Sequence, residues 1–300
     1  MSVLYTPNSL EKGLKVLFLK HFATEGALAS RLCHIENSDS DAESYDWLGQ
    51  SPTMQEFLDE RRSIPLSNTK YTITNKTWES TITVSRSDLA DNKTGSIQMR
   101  IRQMAAAAAG HSNKLIIAQL ESGTTDTGYD GVAMFSNSHT ARADEGSTQD
   151  NLLAGTGTTT AQVGADFATA KAEMLKFVGE NGEPFHADGI PQLTVVCPPD
   201  MEKAFRETLN AGIVSNTSNV QVGAADLIIS PRLTDANDWY LLRTDSVRPL
   251  IFQDREPLEF TSLEGSSDNG FLRDQWSYGI RARYNVGIGF WQAATKTVNS

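Results

Sequence analysis

Residues 71–84 read YTITNKTWESTITV, and this run constrains the fold more than any other. Apolar side chains alternate with hydroxyls, first at Tyr71 and Ile73, then in the opposite phase at Trp78, Ile82 and Val84. A period of two is that of a strand, whose successive side chains point to opposite faces. The flip of phase near Asn75 and Lys76 calls for a bulge, a sharp twist or a turn there. Rich in Thr and poor in Leu, Val and Phe, the ribbon cannot build a core by itself. It must lie against something else.

The 300 residues suffice for one large domain or two modest ones with real cores. A net charge of −11 repels nucleic acid at a distance, so any phosphate contact must be local. Cys33 and Cys197 match no metal-ligand spacing and read as two buried thiols. No segment is long and apolar enough to span a bilayer. The early run KVLFLKHF is interrupted by Lys15 and Lys20, which is wrong for a signal peptide, and a cytoplasmic chain is expected.

Along the chain, Ser9 can cap a helix whose stripe is Leu10, Leu14, Leu17 and Phe18. Residues 36–44 (ENSDSDAES) are acidic and serine-rich, and read as a linker or an exposed arm. A helix on such a tether is expected to dock outside its own domain. Next comes YDWLGQSPTMQEFLDERR, with Tyr45, Trp47 and Leu48 clustered ahead of a helix that starts at Ser51-Pro52. Residues 95–121 form the longest helix, around the alanine run Ala105 to Ala109, with Gly110 as a candidate break. Thr160 caps an amphipathic helix through Val163, Phe167, Ala170, Met174 and Phe177. The strand LTVVC (193–197) then leads through Pro198-Pro199 into a helix carrying Met201, Phe205 and Leu209, an α/β pair. Strand patterns follow to the end: ADLIISP, WYLLRT, PLIFQ, PLEFTSL and the long WSYGIRARYNVGIGFWQAATKTV.

Catalytic constellations do not emerge. None of the five histidines lies in an HExxH or CxxC context, and no GxSxG elbow or phosphate-binding glycine loop follows a strand. His186 and Asp188 could share one side of an extended segment as metal ligands, but read better as solvated loop residues. Asp126 and Asp130 in TTDTGYDG read as turn residues, because the terminal Glu of a calcium loop is missing. Gly287 and Gly289, inside a strand pattern, mark a close approach of another backbone or a large aromatic side chain. No metal or cofactor is expected, and no enzyme.

Interaction surfaces are over-supplied instead. The N-terminal helix with Leu14 and Phe18, the ribbon with Tyr71, Ile73, Trp78 and Ile82, and the cluster around Trp47 would all expose apolar area in a monomer. With the paired cations Arg61 and Arg62, these are the candidate inter-subunit contacts. The ribbon is expected to lie on another copy of the same chain. Arg100 and Arg102 read as inter-subunit salt-bridge residues in preference to DNA contacts.

The run YDWLGQSPTMQEFLDERR, then ITNKTWESTITVSRSDLADN, resembles the N-terminal third of the major head subunit of Mu-like tailed phages. WYLLRTDSVRPLIFQDREP and GIGFWQAATK resemble later segments of that family. These matches span residues 45–92 and about 239–296. The resemblance implies an α+β chain with the HK97-like capsid fold. Residues 1–45 would be the N-terminal arm, 46–92 a short helix plus the E-loop hairpin, and 93–159 the peripheral domain with the spine helix. The axial domain would span 160–262, and strands at 263–300 would return to the peripheral domain.

The implied role is a major capsid protein whose pentamers and hexamers close an icosahedral head around double-stranded DNA, without sequence-specific binding. Partners implied alongside are a separate scaffold protein, a maturation protease, a portal and, optionally, a decoration protein. The expected locations are the virion and, during assembly, the host cytoplasm. Lys70 and Lys76 lie in the ribbon, but no Asn partner marks an isopeptide cross-link, and none is expected. The rival readings are an encapsulin-like compartment of the same fold, a tail or baseplate component, and an α/β enzyme using His186 and Asp188.

Overall fold

The computed structural model describes residues 7–22, 28–45, 48, 71–85, 87, 94–140, 148–179, 182–186, 189, 191–214, 217–263 and 274–299. Helices α1 (Pro7–Phe22) and α2 (Ala29–Leu32) lead into β1 (Cys33–Asn37) and β2 (Ala42–Tyr45), and the ribbon forms β3 (Tyr71–Thr74) and β4 (Lys76–Ser85). The long helix α3 (Thr94–Glu121) precedes the short strands β5 (His139–Thr140), β6 (Thr148–Gln149) and β7 (Leu152–Ala154). Then come α4 (Thr160–Lys176), β8 (Leu193–Cys197), α5 (Glu202–Asn210), β9 (Ile213–Val214) and β10 (Thr217–Ser218). The chain ends with β11 (Asp226–Ile229), β12 (Trp239–Arg243), β13 (Leu250–Leu263), β14 (Gln275–Ile288) and β15 (Ala294–Val298).

Two sheets organise the described residues. The first has the order β1-β13-β14-β4, with β1 parallel to β13 and the other pairs antiparallel. The β13–β14 register shifts twice between Asp254 and Glu259, around Pro257, which has no N–H to give the ladder. One face of this sheet is covered by α1 and α3: Leu14 and Phe18 join Ile97, Ile101, Met104, Val84, Phe260, Tyr278 and Ile280 in one buried cluster.

The second sheet has the order β11-β8-β12-β15-β7. All of β8 and β12 is buried, as expected of strands covered on both faces. Val195 and Leu241 face α4 and α5, with Phe167, Met174, Phe205 and Leu209. Val196, Tyr240 and Leu242 face the C-terminal turns of α3, with Ile116, Ile117 and Leu120.

Several expectations shift in detail. Helix α3 runs through Gly110 unbroken, and a side chain there would sit 2.8 Å from Arg232 Nη2, so the glycine makes room for a guanidinium. Helix α4 is capped by Thr159, whose hydroxyl and amide both donate to Gln162 Oε1, one residue ahead of the expected Thr160. Strand pairing also ignores the boundaries expected at 160 and 262. Strand β13 joins the sheet under the long helix, and β15 inserts between β12 and β7 in the α/β sheet.

The acidic stretch is not a linker. Glu36 and Asn37 pair in β1 with Gln253 and Asp254, and Ala42–Tyr45 pairs with β3. Between them the turn is held from inside, with Glu43 Oε1 accepting from Ser38 Oγ and from the amides of Asp39 and Ser40. These bonds hold the Glu43 carboxyl below its usual range.

Candidate inter-subunit surface

The phase flip in the ribbon has a structural cause at Asn75. Its amide donates to Asp41 O at 2.8 Å, and its Nδ2 donates to Ser38 Oγ and Ser40 O, both at 2.8 Å. The acidic turn thereby grips the ribbon where one strand direction ends and the next begins. Before the pivot, β3 pairs with β2; after it, β4 pairs with β14 from Lys76↔Tyr284 to Ser85↔Gln275.

Tyr71 and Ile73, expected as contacts between copies, point into this chain. Ile73 is buried, and its Cδ1 lies where a side chain on Gly287 would be. Gly289 sits against the backbone of Arg248 and Pro249, so both glycines mark close approaches, as their strand context implied. Tyr71 Oη accepts from the Ile288 amide at 3.0 Å. Tyr45 Oη donates to Gln253 Oε1 at 2.8 Å, and Gln253 Nε2 donates to Ile73 O at 3.3 Å. Burial pushes the Tyr71 phenol up.

Beyond the pivot, Trp78 leans toward α3. Its Nε1 donates to Tyr284 O at 2.9 Å, and its ring lies 4.4 Å from that of His111, whose Nδ1 is 2.8 Å from Tyr284 Oη. The small side chains Ala107 and Ala108 leave a half-open groove of about 180 Å³ between helix and sheet, bordered by Trp78, His111, Leu258 and Tyr284. Ile82 is half-buried at the edge of the cluster under α1. Leu14 and Phe18 are buried at 2% and 0% exposure in that same cluster, so the N-terminal helix docks on its own domain. Trp47, Arg61 and Arg62 lie outside the described residues.

What remains open to a neighbour is different. Strand β4 is an edge strand, with one side unpaired among the described residues. Apolar side chains stay exposed at Val16, Leu19 and Met99 on the helical layer, at Ile213 in β9, and at Val220 and Val222 in the turn ahead of β11, an edge strand among the described residues. The outward set on α1 was detectable, because Val16 and Leu19 fall opposite the Leu14–Phe18 stripe. Val220 and Val222 sit in a turn with no periodic signal.

Charge is arranged unevenly. On the face of the first sheet away from α1 and α3, Arg283 reaches Asp41 at 2.7 Å and Glu256 at 3.1 Å, Arg281 also meets Glu256, and Arg281 lies across from Glu79. The histidine weighed as a ligand is occupied: His186 Nδ1 lies 3.0 Å from Arg243 Nη1 and Nε2 lies 3.2 Å from Gln292 O. Burial, reinforced by the Arg243 guanidinium, pushes His186 down to about 4, and its suggested partner Asp188 lies outside the described residues. Asp126 and Asp130 anchor turns, accepting from Ser122 Oγ at 2.6 Å and from the Val132 amide at 3.1 Å. Cys33 and Cys197 are free and buried, and burial pushes the Cys197 thiol up to about 12. Among the described residues no group of three or more His, Cys, Asp or Glu could hold a metal, and no helix is long and apolar enough to cross a membrane.

Comparison with known proteins settles the family. The profile described as Mu-like prophage major head subunit gpT matches residues 8–163 and 234–299. The chain belongs to the Mu-like prophage major head subunit family. It is 26% identical over 295 residues to the Mu-like prophage FluMu major head subunit of Haemophilus influenzae, covering 96% of this chain and 73% of that one. It is 24% identical over 300 residues to the major capsid protein of Escherichia phage Mu, covering 97% and 74%. Among solved structures, the procapsid of bacteriophage JBD30 aligns over 99% of this chain and 77% of that one, with a TM-score of 0.58 and 26% identity. The mature capsid of bacteriophage PhiM1 aligns over 89% and 85%, with a TM-score of 0.59 at 11% identity, a likeness of fold alone. The head subunit therefore has the HK97-like capsid fold expected from its sequence. It is a structural capsid protein that associates with copies of itself, and its work is assembly instead of catalysis.

Proposed function

We propose that this head subunit forms pentamers and hexamers that close an icosahedral shell around double-stranded DNA. The observation that carries the reading is the family match across both ends of the chain, 8–163 and 234–299, which covers the ribbon, the long helix and the last three strands. On this reading the layer of β1, β13, β14 and β4 with α1 and α3 is the peripheral domain. The five-stranded sheet with α4 and α5 is the axial domain, whose exposed Ile213, Val220 and Val222 meet their counterparts around a symmetry axis. The open β4 edge and the outward apolar residues of α1 face neighbours, alongside Trp47, Arg61 and Arg62. Obligate interfaces of this kind bury about 2,000 Å² or more, and closure lets modest pair energies add up to a stable particle. A separate scaffold, a maturation protease, a portal and a decoration protein complete the partner set, and assembly takes place in the host cytoplasm.

Negative-stain electron microscopy of the purified chain, with and without co-expressed scaffold, tests this. Closed isometric particles that protect nucleic acid from nuclease are expected. Particles holding a protein cargo would favour the compartment reading, tubes or open rings a tail role, and absence of any assembly would refute the proposal.

A further inference from the structure

His111 sits where the long helix changes partners. Before it, Ile97, Ile101 and Met104 belong to the cluster under α1; after it, Ile116, Ile117 and Leu120 belong to the cluster of the second sheet. At that changeover the imidazole also meets the ribbon. Val84 and Ile82 of β4 join the first cluster, but Trp78, on the same face of the strand, lies outside it and walls the half-open groove. The His111 ring 4.4 Å away and the bond to Tyr284 O fasten this end of the ribbon.

The surroundings of the imidazole favour its neutral form. The Tyr284 phenol is pushed up to about 12, first by burial and then by Asp254 of β13, so it keeps its proton. A neutral ring accepts that proton's hydrogen bond at Nδ1, across 2.8 Å, and carries its own hydrogen on Nε2. The charges that act on the ring are Lys114 from the same helix and Arg232 from the turn after β11, whose guanidinium lies beside Gly110. Glu79 of β4 and Arg281 of β14 also border the groove, and Arg281 is taken up by Glu256. No carboxylate lies within 4.0 Å of the ring among the described residues. Burial, and then Lys114 and Arg232, push the imidazole below its ordinary 6.5.

We propose that His111 is an acid-released latch for the ribbon: neutral, it ties Trp78 of β4 and Tyr284 of β14 to α3, and on taking a second ring proton it lets that end of β4 go. The second proton sits on Nδ1 and leaves the phenol hydrogen without its acceptor. It also sets a charge against two cations in a partly desolvated groove, which is open enough for water to deliver the proton. Val84 stays buried, so the release is local and the core is kept. On the head reading, β4 is an edge offered to a neighbour, and the latch gives that edge a held and a released setting. The latch itself is a property of the single subunit.

The test is hydrogen–deuterium exchange of the unassembled full chain, read by mass spectrometry on the peptide spanning 76–85 and corrected for the intrinsic pH dependence of exchange. A group that takes a proton only when its contact opens raises the opening constant by up to about ten-fold per pH unit, between its ordinary and its lowered pKa. Protection of β4 should therefore change by about two-fold at most from about pH 7.5 to 6.5, and fall by at least about three-fold from about pH 6.5 to 5.5. In His111→Gln the fall should vanish, while His186→Gln, at a site away from the groove, should retain it. Lys114→Gln removes one opposing cation and should move the midpoint of the fall to higher pH. Melting curves at neutral pH check that each variant folds. An undiminished fall in His111→Gln, no fall in the parent, or a midpoint unmoved by Lys114→Gln would each overturn the latch. Protection lost equally from β4 and β8 would mean global unfolding and overturn it too. Particle formation at neutral pH, scored separately by microscopy, decides the head reading, which stands or falls apart from the latch.

Discussion

Replacing Gly287 by alanine probes the seating of the ribbon on its own sheet. A methyl there would overlap Ile73 Cδ1, lie 2.6 Å from Ile73 Cγ1 and 3.2 Å from Tyr71 Oη. Gly287 lies within β14, so the substitution strains this contact and not the backbone. Overpacking of this kind costs about 1–3 kcal/mol. Ile73→Ala alone should cost about 2–4 kcal/mol, because a buried side chain is removed from a filled site. In the double variant the new methyl occupies part of the space the isoleucine leaves. The combined loss should fall short of the sum by at least about 1 kcal/mol, the coupling expected of residues in contact. Urea denaturation of the unassembled subunit, followed by tryptophan fluorescence, measures all four species. Additivity within about 0.5 kcal/mol, or a neutral Gly287→Ala, would refute the placement of Ile73 against β14.

Three further outcomes are expected. Phe18→Ala should destabilise the unassembled subunit by about 3–5 kcal/mol, since the ring is fully buried and stacks 5.9 Å from Phe22; an unchanged melting temperature would put α1 outside the chain's own core. Asn75→Ala should cost about 2 kcal/mol by removing two donors from Ser38 and Ser40, and urea denaturation within about 0.5 kcal/mol of the parent would show that the pivot does not depend on them. His186 is held at about 4, below the ordinary 6.5, so between those values the unfolded chain binds the proton and the folded chain does not. Stability should therefore fall as pH drops from 6.5 toward 4, by up to about 3 kcal/mol from this group. His186→Gln should flatten that part of the melting curve, and an identical acid slope in the variant would count against it.

Much of the local structure was legible because it rests on short-range rules. The period-two run and its phase flip located β3, β4 and the pivot at Asn75, and LTVVC with its following helix emerged as β8 and α5. Glycine in a strand pattern pointed to the close approaches at Gly287 and Gly289. What failed depends on partners far away in sequence. The acidic run looked like a linker because Arg255 and Arg283, which hold Asp39 and Asp41, come more than two hundred residues later. The ribbon looked unsupported because its partner is β14, and the N-terminal helix looked detachable because its cluster includes Phe260, Tyr278 and Ile280. A chain that builds a shell must still expose apolar area, but it does so at Val16, Leu19, Ile213 and Val220 instead of at Tyr71 and Ile73.

Sedimentation velocity of the purified subunit, over a wide range of concentration and salt, reaches the central claim most directly. Fast-sedimenting closed particles should grow cooperatively at the expense of a slow species as concentration rises. A single slow boundary that persists under every condition, with scaffold present, would contradict the claim that these subunits complete one another.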